Sequence, residues 1–492
     1  MSSRKNRFSS TLASLKFRRV HAALAVGTCF LGLITYGAGC SLSDPTFFDD
    51  TAGTSSNGGS GTGGANGGAN NNGGEVGDAG DSGSGGDAGA GAAGTGGEPG
   101  SVRPVPTKGL IVVGGTLINQ TKGVLSVLSP DTGDELAREA LPANAQIAGI
   151  AYDGADKKDV WYLFLGASFP AKTDKVVDLQ VRYFDDKTNK WITLSKLPGQ
   201  LPPVPGTLTV LNDRLAYLSH VVTGGSAVPS LTILDTSDVT NVKALAAAYM
   251  PATPFAGDMV TLIGTRGSAA DSTGLGGTLD LGLQQNCDKV TKICDLFVQP
   301  IPVGETIATA LGHVLGSYQG TPVAYASQLT QTNYFALSPA TGSVKVYRAT
   351  PDAPEAAEDF TAPQSANDLS AMTVAECQNT ALVTADSENA LYGVTLGAGA
   401  GKNLDLGRAG QLVAYEPFSR EVIATYNPPN DDFVTAPEDA GVVGPQITAV
   451  GVVSTGGASL TLAPRTLKWN PPQDLRTNVL VTRFPVPFTC GN

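Results

Sequence analysis

The chain has 492 residues, of which 15% are charged, and it contains 61 glycines. So few charges and so many glycines exclude a coiled coil or a long helical array, and the length indicates either several domains or one large all-β domain. The formal net charge of −12 repels the phosphates of nucleic acids and anionic lipid head groups, so we expect no nucleic-acid partner.

Residues 1–39 have the pattern of a bacterial secretion signal. Six Lys or Arg residues and no acidic residue precede position 40, an apolar run covers positions 22–36, and small residues fill positions 37–39. A basic start, a short apolar run and a small-residue cleavage site are typical of export signals, and the run is shorter than a typical membrane-spanning helix. Removal of this segment takes the net charge from −12 to −18, because six positive charges leave with it.

The next residue is Cys40, and Gly37-Ala38-Gly39-Cys40 resembles the lipobox of bacterial lipoproteins, with Gly37 where that family usually has Leu. The resemblance implies that the Cys40 thiol receives diacylglycerol and that Cys40 begins the mature chain. It also implies a lipoprotein of the cell envelope, on the outer membrane of a Gram-negative bacterium. Its membrane attachment would be stable, because several acyl chains anchor a protein where one does not. Two alternatives stay open: ordinary signal cleavage, which leaves a free thiol, and a retained signal-anchor helix.

Residues 40–100 have the composition of a flexible tether. Positions 51–100 hold 21 glycines and five acidic residues but no Lys, Arg or aromatic residue. Such a chain cannot bury enough apolar surface to offset its conformational entropy, so we expect disorder. A Gly-rich coil of this length has a root-mean-square span of about 40 Å, which would hold a folded domain away from a membrane.

Residues 101–492 change to short apolar runs bounded by Gly, Pro, Asn and Asp, a texture typical of strands and turns. Three segments align with one another: residues 110–142, 160–198 and 214–251. Their polar turns recur with a period of about 50 residues, which is the signature of propeller blades. We therefore predict an all-β domain, a β-propeller of about seven four-stranded blades, with six or eight as alternatives.

These units resemble kelch repeats. The double glycine of that family matches Gly114-Gly115 and Gly224-Gly225, and its aromatic-Asp turn followed by Trp matches Phe184-Asp185 and Trp191. Two stretches also fit a short helix, residues 134–140 and 242–249.

Partial copies of the repeat follow at residues 333–351 and 411–429. Near the C terminus, strand patterns cover residues 478–484 and, more weakly, 488–490. We expect these last strands to complete a blade begun by residues 110–113, because joining the two chain ends in one sheet removes exposed sheet edges.

Four cysteines remain once Cys29 leaves with the signal and Cys40 is lipidated: Cys287, Cys294, Cys377 and Cys490. An even number in an exported protein predicts two disulfides. Cys287 and Cys294 flank a predicted hairpin turn and would face each other, and Cys377 and Cys490 pair by elimination. Four cysteines could also bind zinc, but no CxxC spacing supports such a site.

The sequence contains no recognisable catalytic constellation, so we predict no catalytic, cofactor or metal residues. His220 and His313 lie in apolar strand patterns, where a buried structural histidine is the simpler interpretation. Asp153, Asp156 and Asp159 could bind calcium, although lysines between them favour a solvated loop. The acidic stretches 351–360 and 427–441 are also interpreted as solvated loops.

Two functional hypotheses follow. The first is a monomeric, lipid-anchored propeller without a cofactor that binds an envelope protein or a glycan. The second is an enzyme on the same fold, either a glycan hydrolase or a metal or quinone oxidase with its active site at the central channel, since fold alone does not decide function. The sequence favours the first, because no convergent metal ligands or carboxylates are recognisable.

Overall fold

A computed structural model describes residues within the compact unit Ser82–Asn492. The predicted secretion signal, Cys40 and the predicted tether lie outside the described residues. The described residues are 106–117, 122–142, 145–155, 158–166, 176–223, 226–251, 255, 257–265, 277–303, 312–339, 343–349, 354–360, 368–385, 390–397, 401–405, 412–426, 444–454, 459–486 and 488–490.

The described strands form seven four-stranded antiparallel sheets, here called blades 1 to 7, with strands A to D of each blade given in order. Blade 1 contains β28 (Leu475–Thr482), β1 (Ile111–Leu117), β2 (Lys122–Leu128) and β3 (Glu135–Ala140). Blade 2 contains β4 (Gln146–Asp153), β5 (Val160–Gly166), β6 (Val177–Asp185) and β7 (Lys190–Gln200). Blade 3 contains β8 (Thr209–Leu211), β9 (Arg214–Thr223), β10 (Ser226–Asp235) and β11 (Lys243–Pro251).

The remaining blades follow in chain order. Blade 4 contains β12 (Asp258–Thr265), β13 (Gly277–Gln285), β14 (Ile293–Val303) and β15 (His313–Gln319). Blade 5 contains β16 (Val323–Ala326), β17 (Asn333–Leu337), β18 (Val344–Ala349) and β19 (Pro354–Phe360). Blade 6 contains β20 (Leu369–Ala375), β21 (Thr380–Ala385), β22 (Ala390–Thr395) and β23 (Gly401–Asp405), with a 3-10 turn, Glu376–Gln378, after β20. Blade 7 contains β24 (Leu412–Glu416), β25 (Glu421–Tyr426), β26 (Gln446–Ser454) and β27 (Leu460–Thr466).

The seven A strands form a closed ring. Each contacts the A strand of the next blade, from β4 through β24, and β28 contacts both β24 and β4. The predicted seven-bladed propeller is therefore confirmed. Among the described residues, no helix is long and apolar enough to cross a membrane.

The ring closes by joining the two ends of the domain, as predicted. Strand β28 pairs with β1 from Leu475 opposite Leu117 to Thr482 opposite Ile111. The closing strand thus begins and ends slightly earlier than the predicted residues 478–484, and residues 488–490 are not a strand. Because an N-terminal and a C-terminal strand share one sheet, the ring cannot open without breaking this ladder.

The hydrophobic core lies between the blades. Strand β5 shows the principle: Trp161 and Leu163 belong to the core shared with blade 1, while Tyr162 and Phe164 belong to the core shared with blade 3. Because both faces of the sheet are buried, the strand is a continuous apolar run rather than an alternating one. Comparable buried clusters join each of the remaining five pairs of neighbouring blades.

Some sequence expectations differ from the structure. Both stretches that also fitted a helix are strands, β3 and β11. The aligned repeats cover strands B, C and D and miss the A strand, and the partial copies 333–351 and 411–429 correspond to the B–C hairpin of blade 5 and the A–B hairpin of blade 7. The acidic stretch 351–360 includes β19 and is not wholly a loop. Antiparallel hairpins with a short polar turn share one sequence pattern. The partial copies were therefore aligned with different hairpins of their blades, B–C in blade 5 and A–B in blade 7.

The two ends of the ring are named by their connections. At the A–B end, strand A leads to strand B and strand C leads to strand D. At the B–C end, strand B leads to strand C and strand D leads to the next blade. In blade 1, strand A is the last strand of the domain and strand B is the first. The chain therefore enters before Ile111 and leaves after Thr482 at the A–B end.

Candidate functional site

The A–B end collects most of the buried carboxylates of the described residues. Asp153 and Glu416 are the last residues of β4 and β24, and both are completely buried. Asp153 Oδ1 accepts a hydrogen bond from the Ala155 N–H at 2.9 Å, and Glu416 Oε2 accepts one from the Ser419 N–H at 2.6 Å. These side chains satisfy N–H groups that a tight turn would leave unpaired in a buried place.

Glu376 plays a related role between two blades. Its carboxylate, in blade 6, accepts hydrogen bonds from the Tyr325 hydroxyl at 3.0 Å and from the N–H groups of Gln328 and Leu329 at 2.8 and 2.6 Å, all in blade 5. Burial raises the pKa of Glu376, and these three donors oppose that rise. Burial and the nearby carboxylate also hold the pKa of Tyr325 well above its ordinary value. Glu376 therefore fixes the A–B turn of blade 5.

Arg483, directly after β28, joins blade 1 to blade 2. Its guanidinium is completely buried. Nε and Nη2 donate to the two carboxylate oxygens of Asp159 at 3.0 Å each, and Nη1 donates to those of Asp186 at 3.0 and 2.9 Å. Burial raises the pKa of Asp159, and the positive charge of Arg483 opposes this. The Tyr152 hydroxyl adds a hydrogen bond to Asp159 at 3.0 Å.

The aspartates considered for calcium have cationic partners from the chain itself. Asp159 pairs with Arg483, and Lys158 Nζ lies 3.6 Å from Asp153 Oδ2 and 2.6 Å from Asp213 Oδ1. Asp156 lies outside the described residues. Within the described ranges, no group of three or more His, Cys, Asp or Glu side chains could hold a metal ion.

The structure does not bring the two histidines together. His220 lies in β9 of blade 3, and His313 begins β15 of blade 4. Burial lowers the pKa of His313.

A C-terminal strap, defined as residues 484–486 and 488–490, covers part of the A–B end. The Phe484 and Phe488 rings lie 4.7 Å apart, and each lies 6.4 Å from the Tyr415 ring of blade 7. Gly154 of blade 2 leaves room for the strap, because a Cβ there would be 2.4 Å from the Phe484 carbonyl oxygen. The strap thus touches blades on both sides of blade 1.

Both predicted disulfides are present. Cys490 ends the described strap and is bonded to Cys377 in the 3-10 turn of blade 6, with a sequence separation of 113. Cys287 and Cys294 close the hairpin turn between β13 and β14 at the B–C end.

The sequence did not reveal Arg483, Glu376 or Glu416. The one usable signal was Arg483 itself, a lone charge in the apolar run from Val479 to Phe488, since a buried charge needs a partner. At the A–B end, the buried charges described above pair with one another or hold turns. The arrangement of these described residues is that of a stabilising network.

Comparison with known proteins adds no family. No family model matches the sequence, and no curated protein matches it. A periplasmic gluconolactonase from Pseudomonas aeruginosa aligns with a TM-score of 0.47 at 11% identity, over 76% of this chain and 99% of its own. A protein from Bacteroides uniformis, provisionally assigned as a 6-phosphogluconolactonase, aligns with a TM-score of 0.45 at 13% identity, over 74% of this chain and 97% of its own. A dihydro-heme d1 dehydrogenase aligns with a TM-score of 0.39 at 11% identity, over 73% of both chains. At these values the likeness says nothing about what this chain binds or catalyses.

Proposed function

We propose that this protein is a lipid-anchored binding module of the bacterial envelope, whose partner contacts the B–C end of the propeller. The observation that carries the proposal is that the chain both enters and leaves the ring at the A–B end. A tether ending in lipidated Cys40 would therefore attach at the A–B end. The B–C end is then free to face away from the membrane.

The B–C end carries a rigid, exposed hairpin turn. The Cys287–Cys294 disulfide closes it, and Asp288 Oδ1 accepts the N–H groups of Val290 and Thr291 at 2.8 and 2.7 Å. Val290 at its tip is 89% exposed. A preorganised loop loses little entropy on binding, so an exposed apolar side chain on it is an efficient contact.

Charge indicates the kind of partner. Lys289 and Lys292 flank Val290 and are both exposed, while the mature chain as a whole is strongly acidic. The Asp288 carboxylate is already engaged by backbone N–H groups. We infer that the turn contacts an envelope protein with acidic groups around a small apolar recess, since complementary charges fix the register of an interface.

The kelch-like character of the blades is part of this proposal. Gly114 and Gly115 lie in β1, at a bulge in its pairing with β28. A Cβ on Gly115 would lie 1.8 Å from the Arg476 carbonyl oxygen, so this position requires glycine. Such a requirement is a physical reason for a double glycine in strand B.

The anchor is tested by mass and partition. Expressed in a Gram-negative host, the protein should enter the detergent phase and carry acyl mass on its N terminus. Cys40→Ala should release the protein or leave it unprocessed. An intact mature protein without acyl mass would refute the lipoprotein assignment.

The binding end is tested by photo-crosslinking in the producing bacterium. A photoreactive phenylalanine analogue at position 290 should give an adduct, and the same analogue at Val453, which is 56% exposed and near the A–B end, should not. Tryptic peptides of a second protein in the adduct, found by mass spectrometry, would identify a protein partner. Sensitivity to glycosidases alone would identify a glycan, and equal adducts at both positions would contradict the proposal.

The enzyme hypothesis is tested on the same material. The solved structures reported above include a gluconolactonase, so gluconolactone is a direct substrate to assay. The binding proposal expects no hydrolysis above the spontaneous rate. Saturable hydrolysis by the purified protein would favour the propeller enzyme instead.

A further inference from the structure

We propose that the A–B end contains a peptide-binding groove, and that the C-terminal strap occupies it as an intramolecular ligand. The strap would be locked in place by the Cys377–Cys490 disulfide. The groove accepts an extended segment with two phenylalanines four positions apart, the spacing of Phe484 and Phe488. This inference concerns the end of the ring opposite to the proposed partner site and does not depend on it.

The strap is held by side chains and not by a β-ladder. The last ladder pair of the chain is Thr482 with Ile111, and the Arg483 N–H donates to the Leu110 carbonyl at 2.9 Å. Beyond this point the described residues of the strap belong to no strand. Its anchors are the rings of Phe484 and Phe488 and the Cys490 disulfide. Short peptides likewise dock into grooves through a few anchoring side chains.

The groove walls belong to blades that are complete without the strap. Phe484 and Phe488 join the apolar cluster between blades 6 and 7, to which Tyr415, Ala371 and, from blade 2, Tyr152 also belong. The ladder of β28 with β1 and the ion pairs of Arg483 lie before the strap in the sequence. Loss of the strap therefore removes an occupant and leaves the ring closed.

The disulfide decides whether the groove is free. Cys377 and Cys490 are both half-buried, so a small dithiol can reach them. A dithiol donor would attack one sulfur as its thiolate, form a mixed disulfide and then close its own disulfide. The products are two thiols, at Cys377 and Cys490, and one oxidised donor. The strap then exchanges in and out of the groove, and a second peptide can compete for it.

The first test supplies the strap in trans. The full mature chain with Phe484→Ser, Phe488→Ser and Cys490→Ser should keep its β-sheet circular dichroism, because the ring closes before the strap. A synthetic peptide FPVPFT should bind it saturably in calorimetry, and SPVPST should bind at least ten-fold more weakly. The native oxidised protein should not bind FPVPFT. Unfolding of the variant, or no binding of FPVPFT, would overturn the proposal in favour of a purely structural plug.

The second test follows strap release by chymotrypsin, which cleaves after Phe488. In Cys490→Ser the cleavage rate should rise at least ten-fold over the native protein, with unchanged circular dichroism. The matched control is Cys294→Ser, which removes the other disulfide and should leave cleavage after Phe488 at the native rate. Equal protection of Cys490→Ser and the native protein would show that the disulfide does not gate the groove.

Discussion

Replacement of Asp280 by Asn should stabilise the propeller at neutral pH and have little effect in acid. Asp280 lies in β13 of blade 4 and is 4% exposed. Its Oδ2 accepts a single hydrogen bond, 2.7 Å long, from Nδ2 of Asn333 in blade 5. Burial raises the pKa of Asp280 from 3.8 to about 6, although the hydrogen bond from Asn333 opposes that rise.

The sign of the effect follows from proton linkage. The folded protein holds the Asp280 proton more tightly than the unfolded chain, so the charged carboxylate destabilises the fold above a pH of about 6. A pKa difference of about two pH units corresponds to about 3 kcal/mol of unfolding free energy. This penalty disappears as the pH falls from about 6 towards the unfolded pKa of 3.8.

The Asn side chain keeps the shape of Asp280 and cannot ionise. At pH 7.5 the free energy of unfolding of Asp280→Asn should therefore exceed that of the native protein by about 2–3 kcal/mol, and by almost nothing at pH 4. Urea unfolding followed by fluorescence at four pH values between 4 and 7.5 measures the difference. The other buried carboxylates titrate in both proteins, so the difference isolates Asp280.

The matched control is Asp288→Asn at an exposed turn. Backbone N–H groups of Thr291 and Val290 lower the pKa of Asp288, so its charge favours the folded state and its replacement should give no stabilisation at pH 7.5. A difference for Asp280→Asn that is the same at pH 4 and pH 7.5 would refute the linkage argument. Destabilisation by Asp280→Asn throughout this range would show that the charge is not a penalty at all.

Three further predictions concern ring closure. Cys490→Ser should lower the thermal midpoint more than Cys294→Ser, because in the chain-entropy model the disulfide with a sequence separation of 113 contributes about 5 kcal/mol and the hairpin disulfide about 2.5 kcal/mol. Gly115→Ala should lower the free energy of unfolding by several kcal/mol in denaturant titrations, since its Cβ would clash with a backbone carbonyl oxygen. Gly451→Ala should be close to neutral, because the atom nearest to its Cβ would be 3.7 Å away. Arg483→Met should lower the free energy of unfolding by about 3–5 kcal/mol, because two carboxylates lose their buried partner. A neutral Arg483→Met variant would show that these carboxylates take up protons or water instead.

The blades were predictable because their physics is local. The aligned repeats follow from strands B to D, where apolar runs such as β5 alternate with short polar turns. The alignment missed the A strands, whose lengths range from the three residues of β8 to the eight of β4. Ring closure was predictable for another reason: two strand patterns at the chain ends lacked a partner.

The A–B end was not predictable because its contacts are not local. Arg483 lies 324 positions from Asp159 and 297 from Asp186. Glu376 meets Gln328 and Leu329 from a neighbouring sheet. No spacing rule joins such residues, since only the closed ring brings them together. The disulfides were within reach because cysteine counting needs no geometry.

Closure at the A–B end combines contacts that act at different stages. The ladder of β1 with β28 and the ion pairs of Arg483 hold blade 1 in the folded ring. The Cys377–Cys490 disulfide instead restricts the unfolded chain, because it encloses the residues from the 3-10 turn of blade 6 to Cys490. Reduction should therefore lower the thermal midpoint and yet leave the native ring closed at ambient temperature. The same bond can thus stabilise the domain against unfolding and hold the strap over a groove, and these two roles separate experimentally by temperature.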